Sequence, residues 1–245
     1  MKAKKLSYNI TISSHVCDKN KNLRIVSLFN IFQDLATQSA NELGVGLDYC
    51  NERSMTWVGT RYHVKINRLP KIGESVVATT WPSDQSALIF TRDFLLSSEQ
   101  GEVLVEASSQ WVMIDLETRR PLPAKKFGPT FEPIEERALD SKFEKIAQPQ
   151  REDFVVEFLA RFDDVDVNNH VNNSIYPLWA TESVPHAFHV ENVPCEIEVA
   201  FKKETMIGQK VNVICQKNNQ ETLHQIVSAD DQKELAQARI LWKQI

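Results

Sequence analysis

Residues 18–23 read DKNKNL, and residues 166–171 read DVNNHV. Set one above the other, Asp18 matches Asp166, Asn20 matches Asn168, and Asn22 stands where His170 stands. At the same offset Leu28 meets Tyr176, Ile31 meets Trp179, and Asp34 meets Glu182. A second pairing sets RYHVKINRLPKIGE (61–74) against EIEVAFKKETMIGQ (196–209). There the Ile-Gly turns coincide, and Glu204 falls opposite Leu69. The chain therefore reads as two related halves, and only the second carries both an imidazole and a late carboxylate.

The order of elements agrees. In the first half, residues 7–17 read as a strand. Leu28, Ile31, Phe32, Leu35, Ser39 and Leu43 then fall at helical spacing, with Gly44 as a stop. Alternating and β-branched runs at 57–66, 75–83, 87–98 and 103–116 follow as strands. In the second half a strand at FVVEFLA is followed by the polar motif, a helix, and strands at 195–204, 210–218, 222–230 and 235–245. A helix plus an antiparallel meander in each half predicts an α+β fold in which each sheet wraps its helix.

Between the halves the composition shifts to proline and charge. This places an N-terminal domain at 1–126, a linker at 127–152 and a C-terminal domain at 153–245. EERALDSKFEKI (135–146) reads either as one short helix or as cover for part of a sheet.

The bulk properties exclude several classes. A net charge of −5 gives no basic field for nucleic acid or an anionic membrane. No apolar run approaches the ~20 residues of a membrane helix. The start, MKAKKLSYNI, has no apolar core and reads as no signal peptide. Cys17, Cys50, Cys195 and Cys215 form no CxxC pair, which suits free thiols in a reducing cytoplasm.

The motif itself has a plain reading and a chemical one. Asn and Asp favour turns, and Asn173 or Ser174 is placed to cap a helix starting near Ile175, with Pro177 in its first turn. Capping does not account for an imidazole spaced two residues from Asn168 and four from Asp166. In an extended segment Asp166, Asn168 and His170 line one wall ahead of a helix N-terminus. Asn168 then donates to a carbonyl oxygen, His170 moves a proton near neutral pH, and Asp166 orients its neighbours. The helix terminus adds unpaired N–H groups. No G-x-S-x-G nucleophile elbow is present, so Glu204 becomes the candidate for activating water.

The segment DVDVNNHVNNSIYPLWATESVP closely resembles the signature of the acyl-acyl-carrier-protein (acyl-ACP) thioesterases of plants and bacteria. NLRIVSLFNIFQDLATQSANELG, WVGTRYHVKINRLPKIGE and SSQWVMIDLETRRPL resemble the same family, so the likeness spans essentially the whole chain. It implies a tandem pair of hot-dog domains, each a curved antiparallel sheet wrapped around a long helix. It implies hydrolysis of fatty acyl-ACP to free fatty acid and ACP, without cofactor or metal. The family's catalytic Asp, Asn and His fall on Asp166, Asn168 and His170, and its Glu on Glu204. Many plant members carry a Cys after that Glu, where this chain has Thr205. That departure favours attack by water over a thiol nucleophile. Whether His170 or Glu204 is the base stays open, as does direct carboxylate attack. The first half is implied to supply most of the acyl pocket, and a homodimer is implied by analogy.

An acyl-CoA thioesterase, a non-catalytic acyl-binding protein and a hydratase of the same fold are the rival readings. The intact Asp166, Asn168, His170 and Glu204 argue against a binder. Arg119–Arg120, Lys125–Lys126 and Lys202–Lys203 read first as solvated surface and second as a docking patch for acidic ACP. His186-x-x-His189 lacks further ligands for a metal.

Overall fold

Why the first helix forms where it does is visible in its buried stripe. In the computed structural model, which describes residues 2–124 and 131–245, α1 spans Ile25–Glu42. Leu28, Phe29, Phe32, Leu35, Ala36 and Ser39 are buried at helical spacing. Phe32 packs on Phe94 with ring centroids 4.7 Å apart, and Phe29 on Tyr62 at 5.4 Å. Gly44, at φ 71°, ends the helix in the left-handed region that glycine enters without cost.

The chain divides into two compact units, Met1–Lys142 and Phe143–Ile245. In the first unit the strands are β1 (Leu6–Thr11), β2 (Met55–Ile66), β3 (Ser75–Gln85), β4 (Phe90–Ser98) and β5 (Val103–Asp115), with a short α2 (Leu47–Glu52). Their order is β1-β3-β4-β5-β2, all neighbours antiparallel. In the second unit they are β6 (Phe154–Leu159), β7 (Asn192–Phe201), β8 (Lys210–Asn218), β9 (Glu221–Ser228) and β10 (Glu234–Gln244). The order β6-β8-β9-β10-β7 repeats that of the first unit, again antiparallel. No helix among the described residues is long and apolar enough to cross a membrane.

Two readings need correction, and the open choice at residues 135–146 falls to sheet cover. The opening strand stops at Thr11, and Ser14–Val16 form a 3-10 turn. The second unit's helix is short: α3 covers only Ile175–Glu182, and α4 (His186–Glu191) restarts after Pro185. Pro185 has no N–H for the helical ladder, and the Ser183 hydroxyl bonds back to Ala180 O at 2.8 Å. Finally, no helix forms in the described part of EERALDSKFEKI. Its backbone bonds to the sheet instead. Trp81 Nε1 donates to Glu136 O at 2.7 Å, and Ala138 N–H to the buried Asp93 carboxylate at 2.7 Å. Arg137 Nε meets the same carboxylate at 3.0 Å. A buried carboxylate requires such partners, and their backbone geometry is not helical.

Candidate active site

The loop after β6 begins with a 3-10 turn at Phe162–Asp164, clamped by Arg161. Arg161 Nη2 lies 2.8 Å from the buried Asp164 carboxylate. The loop then doubles back. Asp166 N–H donates to His170 O at 2.9 Å, and Asn169 N–H to Asp166 O at 3.0 Å. Asn169 adopts φ 62°, which Asn tolerates better than most residues. The Asp166 carboxylate accepts from Asn168 N–H at 2.8 Å, the bond of an Asx turn. Val165 and Val171 close the loop as a bridge.

Asp166, Asn168 and His170 therefore do not line an extended wall, as their spacing suggested. The Asx turn and the left-handed residue fold the segment onto itself. Two side-chain contacts result. Asn168 Nδ2 lies 3.4 Å from Asp166 Oδ2, and His170 Nε2 lies 3.2 Å from Glu204 Oε2. Glu204 reaches His170 because Val171 N–H donates to Thr205 O at 2.8 Å, tying the loop to the segment after β7. Both members of the pair keep solvent access, His170 at 27% and Glu204 at 42% side-chain exposure, so water can reach them.

The capping expectation is only partly met. Ser174 occupies the N-cap position of α3 but makes no side-chain cap bond. Asn172 Oδ1 accepts from Ser174 N–H at 2.9 Å instead. Beneath the loop, Tyr176 and Trp179 are buried, and Trp179 stacks on Phe158 at 6.0 Å. The Tyr176 hydroxyl donates to Thr205 Oγ1 at 2.9 Å. Burial pushes its pKa up to about 12, and the Glu204 and Asp166 charges add to the rise, so the phenol stays a donor. Sequence reasoning missed this bond. Its signal was a Tyr where the first half has Leu28, followed by a Thr at 205.

The remaining candidates lie elsewhere. His189 Nε2 is 2.9 Å from Thr181 O, and its ring packs on Trp242. Among the described residues no Cys, Asp or Glu completes a metal set with His186 and His189. Lys202 pairs with Glu234, and Lys203 is exposed beside Glu204. Lys125–Lys126 lies outside the described residues.

The first unit repeats the loop's backbone bonds and its Asx turn. Ser14–Val16 is its 3-10 turn, and Cys17 bridges Leu23. Asp18 N–H meets Asn22 O at 2.8 Å, and Lys21 N–H meets Asp18 O at 3.0 Å with Lys21 at φ 66°. Asn20 N–H donates to the Asp18 carboxylate at 2.8 Å, and Leu23 N–H to Pro70 O at 2.8 Å. Gly73 and Gly208 share a φ of 78°. Asn22 and Leu69 stand where His170 and Glu204 stand, so this copy holds the scaffold without an imidazole–carboxylate pair.

Comparison with known proteins adds independent findings. The family model for the acyl-ACP thioesterase N-terminal domain matches residues 3–126, and that for the C-terminal domain matches residues 147–244. A palmitoyl-acyl carrier protein thioesterase, chloroplastic, from Gossypium hirsutum is 29% identical, covering 97% of this chain and 63% of its own length. A chloroplastic acyl-[acyl-carrier-protein] hydrolase from Cuphea viscosissima is 29% identical over 80% of this chain and 51% of its own. The chain thus spans between half and two-thirds of these relatives. Among solved structures, an acyl-ACP thioesterase from Bacteroides thetaiotaomicron superposes with TM-score 0.87 at 22% identity, covering 98% of each chain. The 12:0-ACP thioesterase from Umbellularia californica gives TM-score 0.85 at 23% identity, also over 98% of each. These likenesses establish the double hot-dog fold.

Proposed function

The chain belongs to the acyl-ACP thioesterase family, and from that premise we propose that it hydrolyses fatty acyl-ACP to free fatty acid and ACP. The observation that carries the reading is the contact of His170 Nε2 with Glu204 Oε2 at 3.2 Å, on a loop whose counterpart in the first unit lacks both groups. An imidazole and a carboxylate in contact, open to water, form a relay for one proton.

The reaction follows from that relay. Glu204 takes a proton from a water whose oxygen attacks the thioester carbonyl carbon. Asn168, oriented by Asp166, donates its amide N–H to the carbonyl oxygen as negative charge develops there. The carbon–sulfur bond breaks. His170, having received the proton from Glu204, passes it to the departing thiolate. One water is consumed, and the site returns to its starting protonation. The first unit contributes acyl-chain binding in this reading.

The reading extends to a homodimer in the cytoplasm, tested by sedimentation and by fractionation of the native host. The activity is tested by free-thiol release from acyl-ACPs of graded chain length beside the matching acyl-CoAs. Faster release from the ACP series supports the proposal. Faster release from the CoA series makes the protein an acyl-CoA thioesterase, and release from neither overturns the hydrolase reading.

A further inference from the structure

Besides the His170–Glu204 contact, two hydrogen bonds tie the catalytic loop and α3 to Thr205 in the segment after β7. One is the backbone bond from Val171 N–H to Thr205 O, and it has a counterpart in Leu23 N–H to Pro70 O, both 2.8 Å. The other is the side-chain bond from the Tyr176 hydroxyl to Thr205 Oγ1 at 2.9 Å, the same hydroxyl lying at a longer 3.5 Å from Lys203 O. This second link has no counterpart, because Leu28 and Pro70 occupy the matching positions and carry no hydroxyl. The first unit nevertheless forms the same loop with the same backbone bonds. Folding the loop does not require the Tyr–Thr bond. The bond occurs in the copy where the residue before it is a carboxylate facing an imidazole.

We propose that Tyr176 and Thr205 are positioning residues that hold Glu204 against His170. The physical case rests on contrast in burial. The Glu204 side chain is 42% exposed, just past the end of β7 at Phe201. A glutamate side chain has several rotamers to lose, and ordering one costs entropy. Thr205 is fully buried and Tyr176 is 2% exposed. A buried hydroxyl pair strongly prefers to stay bonded, since an unpaired member bears its full desolvation cost. The bond therefore fixes the backbone one residue from Glu204 and restricts where its carboxylate can reach. Tyr176 also grips Phe201 with ring centroids 5.5 Å apart, which steadies the strand end from the same side.

The kinetic arm of the test rests on the hydrolase reading; the spectroscopic arm does not. Tyr176→Phe removes only the hydroxyl, Thr205→Val removes the acceptor at constant shape, and Thr205→Ser restores it. In the first arm kcat and KM are measured with acyl-ACP. Tyr176→Phe and Thr205→Val are expected to lower kcat about 10- to 100-fold, the scale of a roughly 1 Å misplacement, with KM little changed. Thr205→Ser recovers most of the rate. In the second arm the His170 ring nitrogens are followed by long-range proton–nitrogen NMR in the intact protein. The Tyr176→Phe signal is expected to move most of the way to that of Glu204→Gln. A Tyr176→Phe protein that loses melting temperature but keeps the wild-type His170 signal overturns the proposal, as does an unchanged kcat. If the wild type hydrolyses nothing, the hydrolase reading falls and the NMR arm still decides this one.

Discussion

In the first unit, Asp18 N–H bonds to Asn22 O, Lys21 turns the chain at φ 66°, and Leu23 N–H reaches Pro70 O. In the second, Asp166 N–H bonds to His170 O, Asn169 turns it at φ 62°, and Val171 N–H reaches Thr205 O. Backbone hydrogen bonds and an Asp carboxylate fix this loop wherever it occurs. The proposed proton relay is separate, resting on the side chains at two positions: His170 for Asn22 and Glu204 for Leu69. A duplicated scaffold can therefore keep its shape after one copy has no proton relay, because shape and relay rest on different atoms.

The sharpest way to break this contrast is at Glu204. Glu204→Gln keeps shape and hydrogen bonding but removes the proton acceptor, so thiol release from acyl-ACP is expected to fall by about 10²–10⁴. Leu69→Gln, its counterpart, is expected to leave the rate unchanged in the same assay. Next come the two Asx turns. Asp166→Ala frees Asn168 and is expected to lower kcat about 10- to 100-fold. Asp18→Ala removes the equivalent turn and registers as a loss of about 1 kcal/mol in urea unfolding, with the rate unchanged.

A third difference lies in the cores. Strand register sets His224 opposite Cys215 where the first unit sets Phe94 opposite Thr80. His224 is fully buried between the Ser183 and Thr222 hydroxyls, and burial lowers its pKa to about 3 from the usual 6.5. Above pH 6.5 both folded and unfolded chains hold this ring neutral. As pH falls from 6.5 toward 3, the unfolded chain takes up a proton that the folded one refuses. Stability is then lost by about 1.4 kcal/mol per pH unit through this window. His224→Phe, carrying the first unit's residue, is expected to flatten that slope in urea titrations run across the range. The smallest contrast should be no contrast. A Cβ added at Gly73 or Gly208 meets nothing within 4 Å, and both sit at φ 78°. Alanine at either position costs only the left-handed backbone, about 1–2 kcal/mol, and should lower thermal stability equally in the two variants.

Much of this was legible in the sequence because duplication leaves its mark at spaced positions. The helical stripe from Leu28 to Leu43, the β-branched runs and the paired Ile-Gly turns each obey a period that local geometry imposes. The match of Asp18 to Asp166 and of Leu69 to Glu204 identified the loop pair whose bonds the structure repeats. What spacing could not show was direction. Alternation suggested one wall for Asp166, Asn168 and His170, but a single left-handed residue at Asn169 reverses the chain, and no period reports that. The path of residues 135–142 was hidden for a related reason. Their charges suit a helix, but the buried Asp93 that binds them lies far off in sequence. The bond from the Tyr176 hydroxyl to Thr205 Oγ1 joins residues 29 apart, and no local period reports it.

In the proposed reaction one loop copy is catalytic and the other is scaffold. The most direct test compares His170→Ala with Asn22→Ala, side by side, in free-thiol release from purified acyl-ACP. The account predicts a fall of about 10²–10⁴ for His170→Ala and the wild-type rate for Asn22→Ala. Equal losses in both variants, or an undiminished rate in His170→Ala, would contradict it.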